Sequence, residues 1–261
     1  MNDDELINLE TDEEQYEDDE IGSTRKPGYF RKIITILIIL AFIAFSVPNF
    51  PYLFSHKLDF LEQNRALKED EIVQRCKPAV VSIEAVAKGL FDTEVKQGTG
   101  FNVSPSGSII TNQHVVADAS MITIRFDDGR VYYSKQYEVI PDVDLAIIKI
   151  EGNNLPTIEL NLKGKIQSGE TVTIIGNPLG FDQISQRGEV GQFHNLTNSS
   201  TQVFDINIPI HPGNSGSPVI DSQAKAVGII FASTHIEINN KSELRALAIP
   251  VQILPLDQLS R

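Results

Sequence analysis

From Ala79 onward the chain is cut into short apolar or alternating runs: AVVSIEAV, GTGFNVS, GSIITNQHVV, SMITIRF, VYYSKQYEVI, LAIIKI, ETVTIIG, FDINIPI, PVIDS and AVGIIFAS. Glycine, proline, asparagine, aspartate and serine separate them. Such runs suit strands, which alternate faces and are bounded by turn residues. Many short strands at this spacing predict an all-β sandwich or barrel. FDDGR at 126–130 reads as a hairpin turn, and VQILPLDQLS at the C-terminal end as a short helix.

What precedes Ala79 is different in kind. Residues 1–24 hold eleven acidic side chains and no basic one, and setting them aside takes the formal charge from −13 to −2. Residues 1–20 are too polar to offset the entropy of ordering, so they read as a disordered tail. The remaining chain shows no basic footprint, which argues against a nucleic-acid partner. Next, no residue from Ile33 to Phe54 is charged. That is about the length a helix needs to cross a bilayer. Arg25, Lys26, Arg31 and Lys32 stand just before the run, so the positive-inside rule puts residues 1–32 in the cytoplasm and the rest outside. A cleaved signal peptide fits less well, because the leading region is long and no small-x-small site follows. The expected organisation is a tail over 1–32, a transmembrane helix over 33–54, a helical stalk over 55–71 and one domain over 72–261. The single cysteine, Cys76, permits no internal disulfide and reads as a small core residue.

The chemistry gathers in three stretches. HPGNSGSPVI, residues 211–220, sets Ser215 in a turn between Gly213 and Gly216. A serine hydroxyl becomes a nucleophile when a neighbouring base takes its proton and backbone N–H groups face the oxyanion. In such a turn the N–H groups of Gly213 and Ser215 can converge. Of His56, His114, His194, His211 and His235, His114 in TNQHVV follows an apolar strand. Asp144 stands at the mouth of LAIIKI, partly desolvated, where an acid persists only if it is bonded or paired. Asp118 and Asp142 compete for that role, and His211 is an alternative base.

TNQHVV, DVDLAIIKI, IGNPLG at 175–180 and HPGNSGSPV, in that order, resemble the trypsin-like protease domain of the HtrA (Deg) family. VQRCKPAVVSIEA, GTGFNVS and LAIPVQIL extend the resemblance from about Ile72 to Leu254. It implies a chymotrypsin/trypsin-like double β-barrel, with two perpendicular barrels and the site in their cleft. It implies His114 as general base, Asp144 as its orienting acid and Ser215 as nucleophile. It further implies an oxyanion hole of Gly213, Asn214 and Ser215, and a substrate pocket of Ile208, Pro209, Ile210, Ile230, Phe231 and Ala232. No metal or organic cofactor is called for. Partners would be polypeptide substrates, the membrane through 33–54, and other copies of the chain. The sequence departs from the family's pattern at Ser217, where GNSGG is usual, and at His211, where an asparagine is frequent. No C-terminal PDZ domain follows within the sequence. The expected activity is a membrane-anchored serine endopeptidase acting on unfolded polypeptides outside the cytoplasm, in protein quality control. The alternative is a catalytically silent scaffold that binds polypeptide.

Overall fold

The computed structural model describes residues 59–88, 93–196, 201–238, 241–255 and 259, together with Ile36 and Ile38. The chain divides into Met1–Phe54 and Ser55–Arg261. Of the first unit only Ile36 and Ile38 are described, both helical and exposed. The acidic tail and the rest of the apolar run lie outside the described residues. Among the described residues no helix is long and apolar enough to cross a membrane.

The second unit opens with two short helices, α1 (Asp59–Ala66) and α2 (Glu71–Cys76). Asp70 caps α2, its Oδ1 accepting the N–H groups of Ile72 at 3.0 Å and Val73 at 3.3 Å. These bonds satisfy donors that a helix start leaves free. The first sheet is built from β1 (Val80–Lys88), β2 (Thr93–Asn102), β3 (Ser108–Thr111), β4 (Ala119–Phe126), β5 (Val131–Ser134), β6 (Tyr137–Ile140) and β7 (Leu145–Lys149). Its strand order is β5-β4-β1-β2-β3-β7-β6. The second contains β8 (Glu159–Leu160), β9 (Thr171–Gly176), β10 (Ile184–Asn195), β11 (Gln202–Ile206), β12 (Pro218–Ile220), β13 (Lys225–Ile238) and β14 (Lys241–Pro250). Its order is β12-β9-β10-β11-β14-β13-β8, and an added β12–β13 pairing closes it into a barrel. A third helix, α3 (Gln113–Val116), follows β3.

Strand alternation explains the apolar doublets. Val81, Ile109, Ile148 and Ile124 fill the first sheet, while Val80, Ile110 and Ile147 face a second cluster. Ile174 and Ile230 fill the second sheet, while Ile175 and Ile229 join Val80, Ile110 and Ile147. Successive side chains point to opposite faces, so a strand buried on both sides reads as a continuous apolar run. One face fills a barrel; the other fills the seam between barrels. Cys76 belongs to the seam, 1% exposed, and burial pushes its thiol up to about 11.

The strand in GSIITNQHVV ends at Thr111, and His114 follows it on the short helix α3. The strand in FDINIPI ends at Ile206, though Asn207 and Ile208 still bond to Glu189 and Ala246. VQILPLDQLS opens with a 3₁₀ turn at Val251–Ile253 and Leu259 is helical; the rest of the expected terminal helix, residues 256–258 and 260, lies outside the described residues. The strands β10 and β14 carry too many polar residues to read as strands. In β10 the polar residues Ser185 and Gln186 are buried, and the Ser185 backbone N–H donates to Asn64 Oδ1 of α1 at 2.9 Å. The 126–130 turn does join β4 to β5.

Asp205 on β11 is fully buried, opposite in direction to Phe204 and Ile206. It is held by Arg245 Nη1 at 2.8 Å, by His194 Nε2 at 2.8 Å and by the Gln192 N–H at 2.8 Å. Burial alone would raise its carboxyl; the bonds from Arg245 and His194 outweigh that and hold it below the usual carboxylate range. A lowered folded value stabilises the fold above the ordinary carboxylate range and loses that contribution as acid titrates the group. Asp205→Ala removes the buried partner of Arg245, whose side chain is 14% exposed, and leaves it only the longer pairing with Glu243 at 3.5 Å. We expect a loss of about 3–5 kcal/mol, read as a fall in the urea midpoint at neutral pH.

Candidate active site

His114 is positioned by its neighbours. Val115 and Val116 are 2% and 0% exposed and anchor α3 in the first barrel, which leaves the histidine side chain half exposed. Asp144, in the turn before β7, uses both carboxylate oxygens on this one residue. Oδ1 accepts the His114 backbone N–H at 2.9 Å, and Oδ2 lies 2.5 Å from His114 Nδ1. The Asp144 carbonyl accepts Asn112 Nδ2 at 2.7 Å. A carboxylate on Nδ1 fixes the ring so that Nε2 is free to accept a proton. The competing acids do not pair with His114. Asp118 has φ +62° and donates its N–H to the Tyr137 hydroxyl at 3.2 Å; Asp142 has φ +64° and is exposed.

The serine loop is gripped by both sheets. Thr99 of β2 donates its N–H to the Ser215 carbonyl at 2.8 Å and its hydroxyl to the Gly213 carbonyl at 2.7 Å. From β13, the Ile230 carbonyl accepts the Gly216 N–H at 2.8 Å, and the Ile230 N–H donates to Ser217 at 2.9 Å. Gly213 has φ +97°, and a Cβ there would run into the Asn177 carbonyl oxygen. Only glycine fits that position. Asn214, Gly216 and Ser217 spend their N–H groups inside the protein. Among the described residues, those of Gly213 and Ser215 meet no protein acceptor. Two neighbouring donors on a fixed loop form a ready site for a negatively charged oxygen.

Gly98 brings the two halves together. A Cβ built on it would lie 2.7 Å from Val115 Cγ1 and 3.2 Å from the Ser215 carbonyl oxygen. The residue after His114 and the backbone of Ser215 therefore flank the same point. Of the expected pocket residues, Ile208 and Ile230 are 2% and 0% exposed and pack into the second barrel. Pro209 is exposed, and Ile210, Phe231 and Ala232 are half-buried. His211 packs its ring on Phe60 of α1. Among the described residues no cluster of histidine, cysteine and carboxylates has metal-holding geometry.

Sequence reading missed Thr99 and Asn177. Asn177 donates its N–H to Thr99 Oγ1 at 2.9 Å and its Nδ2 to the Val81 carbonyl at 3.1 Å, and it accepts the Gln183 N–H on Oδ1. Both residues lay inside quoted motifs, GTGFNVS and IGNPLG, but nothing in one dimension paired them.

The model for the trypsin-like peptidase domain matches residues 98–229, just over half of the 261-residue chain. A probable periplasmic serine endoprotease DegP-like of Pseudomonas putida is 38% identical over 134 residues, covering 51% of this chain and 28% of that protein. The putative serine protease HhoB of Synechocystis is 32% identical over 161 residues, covering 59% of this chain and 38% of that protein. The chain thus spans well under half the length of these curated relatives. Among solved structures, the HtrA-type protease AlgW with tripeptide is 28% identical with a TM-score of 0.58, covering 70% of this chain and 59% of that one. A serine endoprotease from Yersinia pestis is 26% identical with a TM-score of 0.57, covering 72% of this chain and 65% of that one.

Proposed function

Because the chain belongs to the trypsin-like peptidase domain family, we propose that it is an HtrA-type serine endopeptidase. In this reading Ser215 Oγ attacks the scissile carbonyl while His114 Nε2 takes its proton. The N–H groups of Gly213 and Ser215, with Asn214 shaping the turn, receive the oxyanion of the tetrahedral intermediate. His114 then protonates the leaving amine, leaving an acyl-enzyme on Ser215. Water, deprotonated by the same imidazole, hydrolyses it. Asp144 keeps its charge throughout and steadies the imidazolium. The observation that carries the reading is the two-point grip of Asp144 on His114, at 2.5 Å and 2.9 Å, beside a serine loop with two unspent donors.

Pro209, Ile210, Phe231 and Ala232, over a floor of Ile208 and Ile230, would receive the residue before the cut. None is charged, so a buried lysine or arginine would find no counter-ion. Peptides with Val or Ala there should be cut at least about tenfold faster, in kcat/KM, than those with Lys or Arg. Comparing a matched peptide series checks this. The substrates are unfolded polypeptides outside the cytoplasm, and the role is quality control. Residues 33–54 would anchor the protein with its N-terminus cytoplasmic, and copies would associate.

The test uses the full-length chain and an unfolded casein substrate. A fluorophosphonate should label the wild type and not Ser215→Ala, and only the wild type should digest casein. A folded wild type that is neither labelled nor active would instead fit a silent polypeptide-binding scaffold.

A further inference from the structure

We propose that Phe60 of α1 is a positioning residue for the oxyanion loop, an inference that rests on the peptidase reading. Phe60 is 3% exposed on a short helix whose other residues are mostly polar. Its ring meets the His211 imidazole with centroids 5.5 Å apart at 55°. It meets the Phe181 ring at 5.9 Å and 65°, close to edge-on. His211 opens the loop that carries the unspent donors, and Phe181 ends the 177–181 loop beside it. The His211 carbonyl accepts the Asn214 N–H at 3.1 Å, closing the turn that presents Gly213. The Pro212 carbonyl accepts the Leu179 N–H at 2.8 Å, tying that turn to the 177–181 loop. Phe60 is seated on both loops at once.

The helix is itself fastened. The Ser185 N–H donates to Asn64 Oδ1 at 2.9 Å, and Arg187 pairs with Asp70 at 2.8 Å just beyond α1. The loop needs such support. Gly213 and Gly216 both have φ above +80°, and glycine resists rotation least of all residues. Thr99 holds the loop from the first barrel; Phe60 holds it at His211. Without the ring, the peptide ahead of Gly213 gains freedom and its N–H leaves the position where the oxyanion forms. Substrate binding in the apolar pocket does not use that donor, so kcat falls and KM does not. Phe60 stands six residues beyond the apolar run that ends at Phe54. The segment that follows the proposed anchor therefore seats the catalytic loop.

The experiment measures peptide hydrolysis and peptide-boronate binding by the full-length chain. Phe60→Ala should lower kcat about tenfold, less than outright loss of an oxyanion donor, with KM unchanged and boronate affinity reduced by the same factor. His211→Ala should do the same, and the double variant should lose no more than either single one. His211→Phe, which keeps a ring, should retain activity, and Glu62→Gln on the exposed face of α1 should match wild type. Urea midpoints report folding; if Phe60→Ala fails to fold, His211→Ala leaves α1 intact and carries the test. Wild-type kcat in either single alanine variant, or multiplying losses in the double one, overturns the inference while leaving the peptidase reading intact. A wild type that neither cleaves nor labels overturns both.

Discussion

Ser215→Ala should lower kcat by a factor on the order of 10⁵–10⁶ while the thermal midpoint stays where it was. The size of the loss follows from the covalent route. Without the hydroxyl no acyl-enzyme forms, and what remains is catalysis by the oxyanion donors and by binding alone. The unchanged stability follows from the structure. Among the described residues the Ser215 hydroxyl bonds to no protein group, whereas its carbonyl is held by the Thr99 N–H at 2.8 Å. Alanine keeps that bond. Burst and steady-state kinetics on an activated ester, beside a melting curve, check both halves. A variant that keeps more than a hundredth of the activity would remove Ser215 from the nucleophile's role.

Asp144→Asn should cost a factor of about 10⁴ in kcat with little change in KM. Asp144 makes two contacts, and the substitution affects them differently. Asparagine can still accept the His114 backbone N–H through its Oδ1, now made at 2.9 Å, so α3 stays in place. Its amide nitrogen then faces His114 Nδ1 as a donor. That nitrogen must become an acceptor, the proton moves to Nε2, and the imidazole can no longer take a proton from Ser215. Asp144→Ala would release the backbone of His114 as well, so it should also cost about 1–2 kcal/mol of stability, read as a lower urea midpoint. The asparagine variant should not. Comparing the two separates electrostatics from scaffolding.

The fold was legible where strands are buried on both faces. SII, LAII, TII and GII each send one side chain into a barrel and the next into the seam, and that produces an unbroken apolar run. It was illegible where strands carry polar residues satisfied by distant partners. In ISQRGEVGQFHN, Arg187 is tied to Asp70 and Thr173, and His194 to Asp205. None of those pairings leaves a local trace. The serine turn was legible because glycine is demanded at Gly213 by a positive φ and a crowding carbonyl. Ile208 and Ile230 belong to runs whose facing depends on register, and register buries both in the second sheet's core.

By itself the sequence determined what could be decided within a dozen residues. It gave the strand-length runs, the turn around Ser215, the concentration of charge in the first residues and the types of group available for catalysis. Periodicity and backbone preference act over such distances. Which groups meet was decided only in three dimensions. Asp144 reaches His114 across thirty positions, Thr99 reaches Gly213 across 114, and Phe60 reaches His211 from the first described helix. The first comes from the pairing of β3 with β7, the second from the packing of one sheet against the other, and such packing is set by the summed burial of the seam rather than by any single motif.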